Sequence, residues 1–457
     1  MWTPVPGMIV EIEKLGRAEI IKLNGNKAIL SVKALNNLKI EWDVSQLSPV
    51  DMEVIPATDG FKVHERNAVN YINRKVDNSI LKTRTIESLR FGLVPEHHIE
   101  QLTLGFTELN DWASNTFEKC SSGVPNGFEI SGPYGTGKSH TLSLIRYLAR
   151  KQGFLTARVE LDGQNISLSS PVLFLNALWA TLAENDLDSD SPLVSLYIKV
   201  IEKGIIPRKI IRNGVDRIHN NLNTIHTLMK TGNIEKYAHI VEAIISCSDE
   251  YTAIQAKKEI SAELNINYSQ ILLDAMVSKA VSKRGLDLIE SLAGHAMLAK
   301  MAGYKGLIVT IDEFEIEYID KKNINRVKDI LNVLHQYMCN QTIYSRAPLG
   351  LYFATVDQAG HEGDPLIHEY ITTDENNKYR LKVWEKEHRI HLAEDIHRMY
   401  CEAYNLKLSF NKDMAIAVEG LLSDKIENND SGLIRSFIKW YIGILDLKYG
   451  PPEGKVV

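Results

Sequence analysis

The run Gly132, Pro133, Tyr134, Gly135, Thr136, Gly137, Lys138, Ser139 is the part of this chain whose residue types and spacing point most directly to chemistry. It fits G-x-x-x-x-G-K-[ST], a loop that wraps phosphates. Glycine at Gly132, Gly135 and Gly137 lets the backbone turn its N–H groups inward around an anion. A helix starting where the run ends, at Ser139 and His140, points its positive end at the same phosphates. In this pattern Lys138 reaches the terminal phosphates and the Ser139 hydroxyl ligates Mg²⁺. The cofactors implied are ATP and Mg²⁺, with the loop and His140 as the nucleotide-binding residues.

A second stretch supplies acids. Gly306-Leu-Ile-Val-Thr-Ile-Asp-Glu313 is a continuous apolar run ending in adjacent carboxylates, as a parallel strand buried on both faces requires. Asp312 is expected in the Mg²⁺ shell, and Glu313 is expected to polarise the attacking water. The third apolar run, Leu349–Val356, ends in the polar residues Thr355, Asp357 and Gln358.

These groups need a sheet to hold them. Gly127-Phe-Glu-Ile-Ser131 reads as the strand before the loop, and His140–Ala149 has the apolar spacing of a helix packed on that sheet. Leu155–Leu161 is a further strand. From about 170 to 300 the periodicity is helical throughout, which predicts a helical insertion. Its middle is basic, through Lys199, Lys203, Arg208, Lys209, Arg212, Arg217, Lys230 and Lys236, and reads either as a nucleic-acid or acidic-partner arm or as a solvated face. Helical periodicity also covers about 68–120, including His97 to Phe117. Gly360–Tyr379, rich in Gly, Asp, Asn and Glu, reads as a mobile loop. Three helices close the chain, and Arg435, near the start of the last, is a candidate nucleotide contact. At the other end, short apolar runs separated by Gly16, Asn24-Gly25 and Asn36-Asn37 predict four or five strands in an SH3- or Tudor-like barrel.

The predicted fold class is therefore an α/β P-loop NTPase core with a large helical insertion, a small N-terminal β-barrel and a C-terminal helical lid. The expected domains are the barrel at 1–50, a linker at 51–66, the core at 67–384 and the lid at 385–457.

Composition narrows the class further. The chain has 457 residues, 24% of them charged, and a net charge of −6, which argues against a protein that binds polyanions over its whole surface. No apolar run approaches the roughly 20 residues of a membrane span, and the first residues lack the features of a signal peptide. Cys120, Cys247, Cys339 and Cys401 have no paired or zinc-ligand spacing and are expected as reduced core residues. His388, His391 and His397 lack a metal pattern. A cytoplasmic protein without a membrane partner is expected.

Three phrases together resemble one family: Glu87-Ser-Leu-Arg-Phe-Gly-Leu-Val-Pro95, Gly132 through His140, and Ala302–Gly306 running into Ile311-Asp-Glu-Phe-Glu315. They look like the ATP-binding proteins of bacteriophage exclusion (BREX) systems, over roughly residues 65–445. The resemblance implies an ATPase related to the AAA+ and origin-recognition group, with Lys138, Ser139, Asp312 and Glu313 at the motif positions. By similarity to AAA+ proteins, Leu104-Gly105 falls where a base-contacting segment lies, Thr355 where a γ-phosphate sensor lies, and Arg435 where a second sensor lies. That class also implies nucleotide-linked homo-oligomers completed by an arginine finger, for which Arg326, Arg346, Arg380 and Arg389 are all candidates. The implied partners are DNA, or a helicase, nuclease or methyltransferase of the same defence island, served by a motor, loader or switch. The alternative is a signalling scaffold that holds nucleotide with little turnover and recruits a protein effector.

Overall fold

The computed structural model describes residues 9–12, 16–24, 27–32, 38–43 and 47–49, and then 78–123, 126–182, 191–204, 216–246, 250–264, 284–319, 321–339, 347–357, 362–372, 374–426 and 433–449. The chain divides into two compact units, Met1–Arg74 and Lys75–Val457. The expected linker at 51–66 lies outside the described residues.

The first unit is an antiparallel sheet of β1 (Ile9–Ile12), β2 (Gly16–Asn24), β3 (Lys27–Val32), β4 (Leu38–Asp43) and β5 (Leu47–Pro49). The strand order is β4-β3-β2-β1-β5. Asn24 faces Lys27 across the β2–β3 turn, and the register slips between Ile20 and Lys22, a bulge that increases local twist. Among the described residues β4 and β5 are not paired with each other.

The second unit begins with α1 (Asn78–Arg90) and α2 (Phe106–Ser121), followed by β6 (Asn126–Gly132), α3 (Lys138–Lys151) and β7 (Leu155–Glu160). Among the described residues six helices follow: α4 (Pro171–Trp179), α5 (Pro192–Glu202), α6 (Asp216–Lys230), α7 (Ile234–Ile245), α8 (Glu250–Leu264) and α9 (Arg284–Met301). Next come β8 (Leu307–Asp312), α10 (Lys321–Met338), β9 (Leu349–Val356), α11 (Pro365–Tyr370) and β10 (Lys378–Arg380). The unit closes with α12 (Lys386–Tyr404), α13 (Lys412–Ile426) and α14 (Leu433–Tyr449).

The five strands form a parallel sheet in the order β10-β6-β9-β8-β7. Helices cover both faces, so the strands read as apolar runs rather than alternating ones, and Leu307 through Ile311 are all buried. One face packs Phe117 and Leu144 against Phe128 and Tyr352. The other packs Leu155, Val159 and Phe353 against a core that continues through Trp179, Leu196 and Ile244. The helical insertion thus extends the core of the sheet. Two lysines of its basic run are engaged locally, Lys199 donating to the Tyr304 hydroxyl (2.6 Å) and Lys203 to the Ala302 carbonyl (2.6 Å). Arg208, Lys209 and Arg212 of that run lie outside the described residues.

A third core joins α12, α13 and α14 to α1: Ile86 and Leu89 pack with Leu392, Ile396, Tyr400 and Phe437. Arg90 reinforces this with two bonds to the Asp446 carboxylate, Nε to Oδ2 at 2.7 Å and Nη2 to Oδ1 at 2.9 Å. The first helix of this unit, α1, therefore belongs to the C-terminal helical body, whereas α2 packs on the sheet.

Three expectations change. The helical periodicity read over His97–Phe117 is interrupted: a 3₁₀ turn at Ile99–Leu102 is followed by Gly105 at φ 66°, and α2 starts after Leu104-Gly105. The predicted mobile loop at 360–379 contains α11, capped by the Asp364 side chain, and β10, which pairs in parallel with β6. Cys120 and Cys401 are buried, but Cys339 is exposed at the end of α10; Cys247 lies outside the described residues.

Candidate nucleotide site

Parallel pairing brings the ends of β6, β8 and β9 to one edge of the sheet, where Gly132 sits opposite Val356 and Asp312 opposite Glu160. The chain between β6 and α3 closes tightly. Gly137 caps α3 at φ 99°, which a side chain disfavours. A Cβ on Gly132 would lie 2.9 Å from Thr136 Oγ1 and 3.2 Å from Leu381 Cβ. Thr136 Oγ1 donates to the Pro133 carbonyl at 2.8 Å and Thr141 Oγ1 to the Gly137 carbonyl at 3.0 Å, fixing the loop from inside.

Lys138 is buried, its Nζ donating to the carbonyls of Gly132 and Pro133, both at 3.3 Å, and lying 5.0 Å from the centre of the Tyr134 ring. Burial lowers the pKa of its ammonium group, against the pull of Glu315, Asp312 and Glu313. Two long bonds leave this cation weakly engaged, free to take a stronger acceptor. Half-buried His140 places Nε2 2.8 Å from Thr103 Oγ1, and burial holds its pKa down to about 4, so the ring is neutral.

The acids stand at the end of β8. Glu313 adopts a left-handed backbone (φ 59°, ψ 39°), and its amide donates to Asp312 Oδ1 at 3.0 Å. That conformation costs a non-glycine residue about 1–2 kcal/mol, and here it turns the chain sharply after the strand. Burial, then Glu315 and Asp312, raise the pKa of the Glu313 carboxyl. Glu315 has a buried Oε2 with no hydrogen-bond partner. Among the described residues no group of three or more His, Cys, Asp or Glu side chains forms a metal cage. Asp312 and Ser139 share one cavity wall, and a single carboxylate beside a hydroxyl fits Mg²⁺, which takes few protein ligands and leans on phosphate oxygens. The acid excess around Lys138 suits a divalent cation as well.

The wall opposite comes from the helical body. A cavity of about 390 Å³ is lined by Gly135–Ser139, Asp312, Glu313 and Glu315 on one side, and by Leu104, Trp384, Ile434, Arg435 and Ile438 on the other. Its apolar half suits a flat base and its polar half a phosphate chain. Gly105 lets the Leu104 segment approach, since a Cβ there would lie 2.6 Å from Trp384 Cη2. Arg435 is exposed, packs beside Gly92 and reaches this cavity together with the phosphate-loop residues.

Thr355 faces elsewhere. It is buried, and its hydroxyl donates to Glu129 Oε1 at 2.6 Å. Glu129, fully buried in β6, also accepts the Asp364 amide (2.8 Å) and faces His368 Nε2 (2.5 Å). Asp364 in turn accepts the Tyr318 hydroxyl (2.8 Å) from the 3₁₀ turn that follows the acids. Thr355 therefore lies behind the site in a polar web, and the acid at the end of β9 that acts electrostatically on Lys138 is Asp357. Of the candidate fingers, Arg389 is buried and bonded to Glu419 and the Trp384 carbonyl, Arg380 pairs with Asp357 and Glu362, and Arg326 is exposed on α10. Arg346 lies outside the described residues.

The sequence pattern alone assigns no role to Glu315 or Glu129. The lone acid in Gly127-Phe-Glu-Ile-Ser131 was the available signal for Glu129, because a buried strand carries a charge only when something binds it.

A parallel α/β unit with a glycine-rich loop after one strand and adjacent acids at the end of another is compatible with a nucleotide-binding protein of the P-loop class. Residues 80–359, more than half of the chain, match the family described as BREX system ATP-binding protein BrxC/D, and the protein belongs to that family. No curated protein matches the chain. Among the described residues no helix is long and apolar enough to cross a membrane.

Proposed function

We propose that this protein is a cytoplasmic ATPase whose nucleotide cycle drives a motor, loader or switch in phage exclusion, acting with DNA or a DNA-processing partner. The observation that carries this reading is the single cavity shared by Lys138, Ser139, Asp312, Glu313 and Arg435. In it the backbone amides of Gly135–Ser139 and Lys138 bind the phosphates, and the apolar wall with Leu104 receives the adenine. Ser139 and Asp312 would hold Mg²⁺, which neutralises charge on the phosphates when bound. Glu313, turned out by its left-handed backbone, orients the attacking water and accepts its proton. Arg435 reaches the nucleotide from α14, so the helical body acts as a lid that senses occupancy. Thr355 acts from behind, through Glu129 and Asp364, on the chain that bears the acids. A second copy completes the site with an arginine, making assembly nucleotide-dependent; of the described candidates, exposed Arg326 has the least local engagement.

The test is steady-state ATP hydrolysis with and without double-stranded DNA at low and moderate salt, since backbone contacts weaken steeply as salt rises. Stimulation by DNA at low salt is expected. Hydrolysis indifferent to DNA would overturn the DNA part of the reading, and no hydrolysis under any condition would overturn the ATPase assignment.

A further inference from the structure

The polar lining beneath the phosphate-loop helix continues past the acids. Ser139, Ser143 and Arg146 follow at four- and three-residue steps along one face of α3. On the sheet, Glu160 pairs with Asp312, and one step back on the same face Arg158 pairs with Thr310. All of these line one cleft of about 1760 Å³. They form two rows. The front row is Ser139, Glu160 and Asp312, and the rear row is Ser143, Arg146, Arg158 and Thr310.

The rear row is chemically lopsided. Arg146 donates to Thr310 Oγ1 at 2.8 Å and to Ser143 Oγ at 2.7 Å, both neutral hydroxyls. Arg150, a turn further on, donates to Thr156 Oγ1 at 3.2 Å. Among the described residues none of Arg146, Arg150 and Arg158 forms an ion pair with a carboxylate. Burial, then Arg158 and Arg150, push Arg146 down to about 10. Leu142, Ile145 and Leu148 on the same helix are buried apolar side chains, so the polar stripe is confined to the face lining the cleft. Arg146 is half-buried beside two hydroxyls and Arg158 is exposed; neither guanidinium is hydrogen-bonded to a carboxylate, although Glu96 and Asp312 act on Arg146 electrostatically, so the pair keeps donors to offer an oxyanion.

We propose that Arg146, Arg158, Ser143 and Thr310 form a second oxyanion site, one row behind the acids, which receives the orthophosphate produced at the front row. This inference rests on the ATPase reading for the source of the phosphate, but the site itself can be measured without turnover. The geometry gives phosphate a path within one continuous cleft, from Ser139 and Asp312 to the rear row.

The experiment is calorimetric binding of inorganic phosphate to the full chain, with and without ADP and Mg²⁺. Wild type is expected to bind phosphate in both conditions. Arg146→Met and Arg158→Gln are each expected to weaken phosphate binding tenfold or more while ADP affinity stays within twofold. Arg158 is exposed, so its variant remains informative if Arg146→Met fails to fold. Equal phosphate affinity in wild type and the Arg158 variant would overturn the site, as would ADP binding without any phosphate binding. A single-stranded oligonucleotide displacing phosphate at comparable concentration would overturn the product assignment in favour of a nucleic-acid backbone. Phosphate binding without ADP binding would leave the oxyanion site standing and overturn the nucleotide reading instead.

Discussion

Replacing Lys138 with alanine should separate nucleotide affinity from folding, and the structure sets both magnitudes. In the free protein the ammonium makes two long bonds of 3.3 Å to backbone carbonyls and one cation–π contact at 5.0 Å. Weak contacts of this kind contribute about 1 kcal/mol together. Their loss is opposed by removal of a buried charge, and reinforced by leaving Asp312, Glu313 and Glu315 without a nearby cation. With terms of opposite sign, the stability of Lys138→Ala should stay within about 1 kcal/mol of wild type. Nucleotide binding has no such compensation. A charge-assisted hydrogen bond to a phosphate is worth about 1.5–3 kcal/mol, so ATP affinity should fall roughly 10- to 150-fold. The assay is calorimetric titration with ATP and Mg²⁺ in a Glu313→Gln background, which prevents turnover, beside thermal melts of the free proteins. Affinity within threefold of the parent, with an unchanged melt, would refute the placement of Lys138 on the phosphates.

Further outcomes follow from other parts of the site and core. Glu313→Gln should retain ATP binding and slow hydrolysis by about 10²–10⁴, read as single-turnover phosphate formation; a wild-type rate would remove Glu313 from the mechanism. Gly105→Ala places a Cβ 2.6 Å from the Trp384 ring at a left-handed backbone. It should lower stability by about 2–3 kcal/mol and weaken ATP more than inorganic tripolyphosphate, whereas equal weakening of both would deny the base a place beside Leu104. Glu242 accepts the Leu193 and Val194 amides at the start of α5, and burial pushes its carboxyl up to about 7. A raised carboxyl pKa means the folded state holds the proton more tightly. The associated stability is therefore full below the unfolded value of 4.5 and lost as pH rises through 7, about 3 kcal/mol in all. Glu242→Gln should flatten the melting temperature between pH 5 and about pH 8, and an unaltered pH profile would reject the buried carboxyl.

The phosphate loop and the acids could be read from the sequence because their chemistry is local: glycines, a lysine and a serine at fixed spacing, and an apolar run ending in carboxylates. The central strands could be read for the same reason, since burial on both faces writes itself as unbroken hydrophobicity. What escaped depends on partners distant in sequence. β10 is three residues long, too short for any period, and exists because Lys378–Arg380 pairs with Glu129–Ser131. The web around Glu129 joins β6, β9, α11 and the turn after the acids, and the rear arginine row exists only through the β7–β8 register. The break at Thr103–Gly105 inside a helical pattern follows from the packing of Trp384 against Gly105, which no local propensity encodes.

The membership of α1 in the C-terminal core constrains how the lid can move. Ile86 and Leu89 are packed with Leu392, Ile396 and Phe437, and Arg90 is tied to Asp446 and Tyr404. A lid that closes on nucleotide therefore carries α1 with it, and the bending falls on the segments that leave this body toward the sheet. On the N-terminal side that is the stretch from Phe91 to Gly105, which begins and ends near glycines at φ 72° and 66° and contains the side chains Val94, Leu102 and Leu104 that line the base cavity. On the C-terminal side it is the stretch from β10 to α12, which contains Leu381 and Trp384 of the same cavity. Both connections thus pass through the wall proposed to receive the base, and Arg435 lines the same cavity from α14. On the proposed reading, nucleotide occupancy and lid position are coupled, because a ligand in the cavity touches both connections and the helical body shares one hydrophobic core.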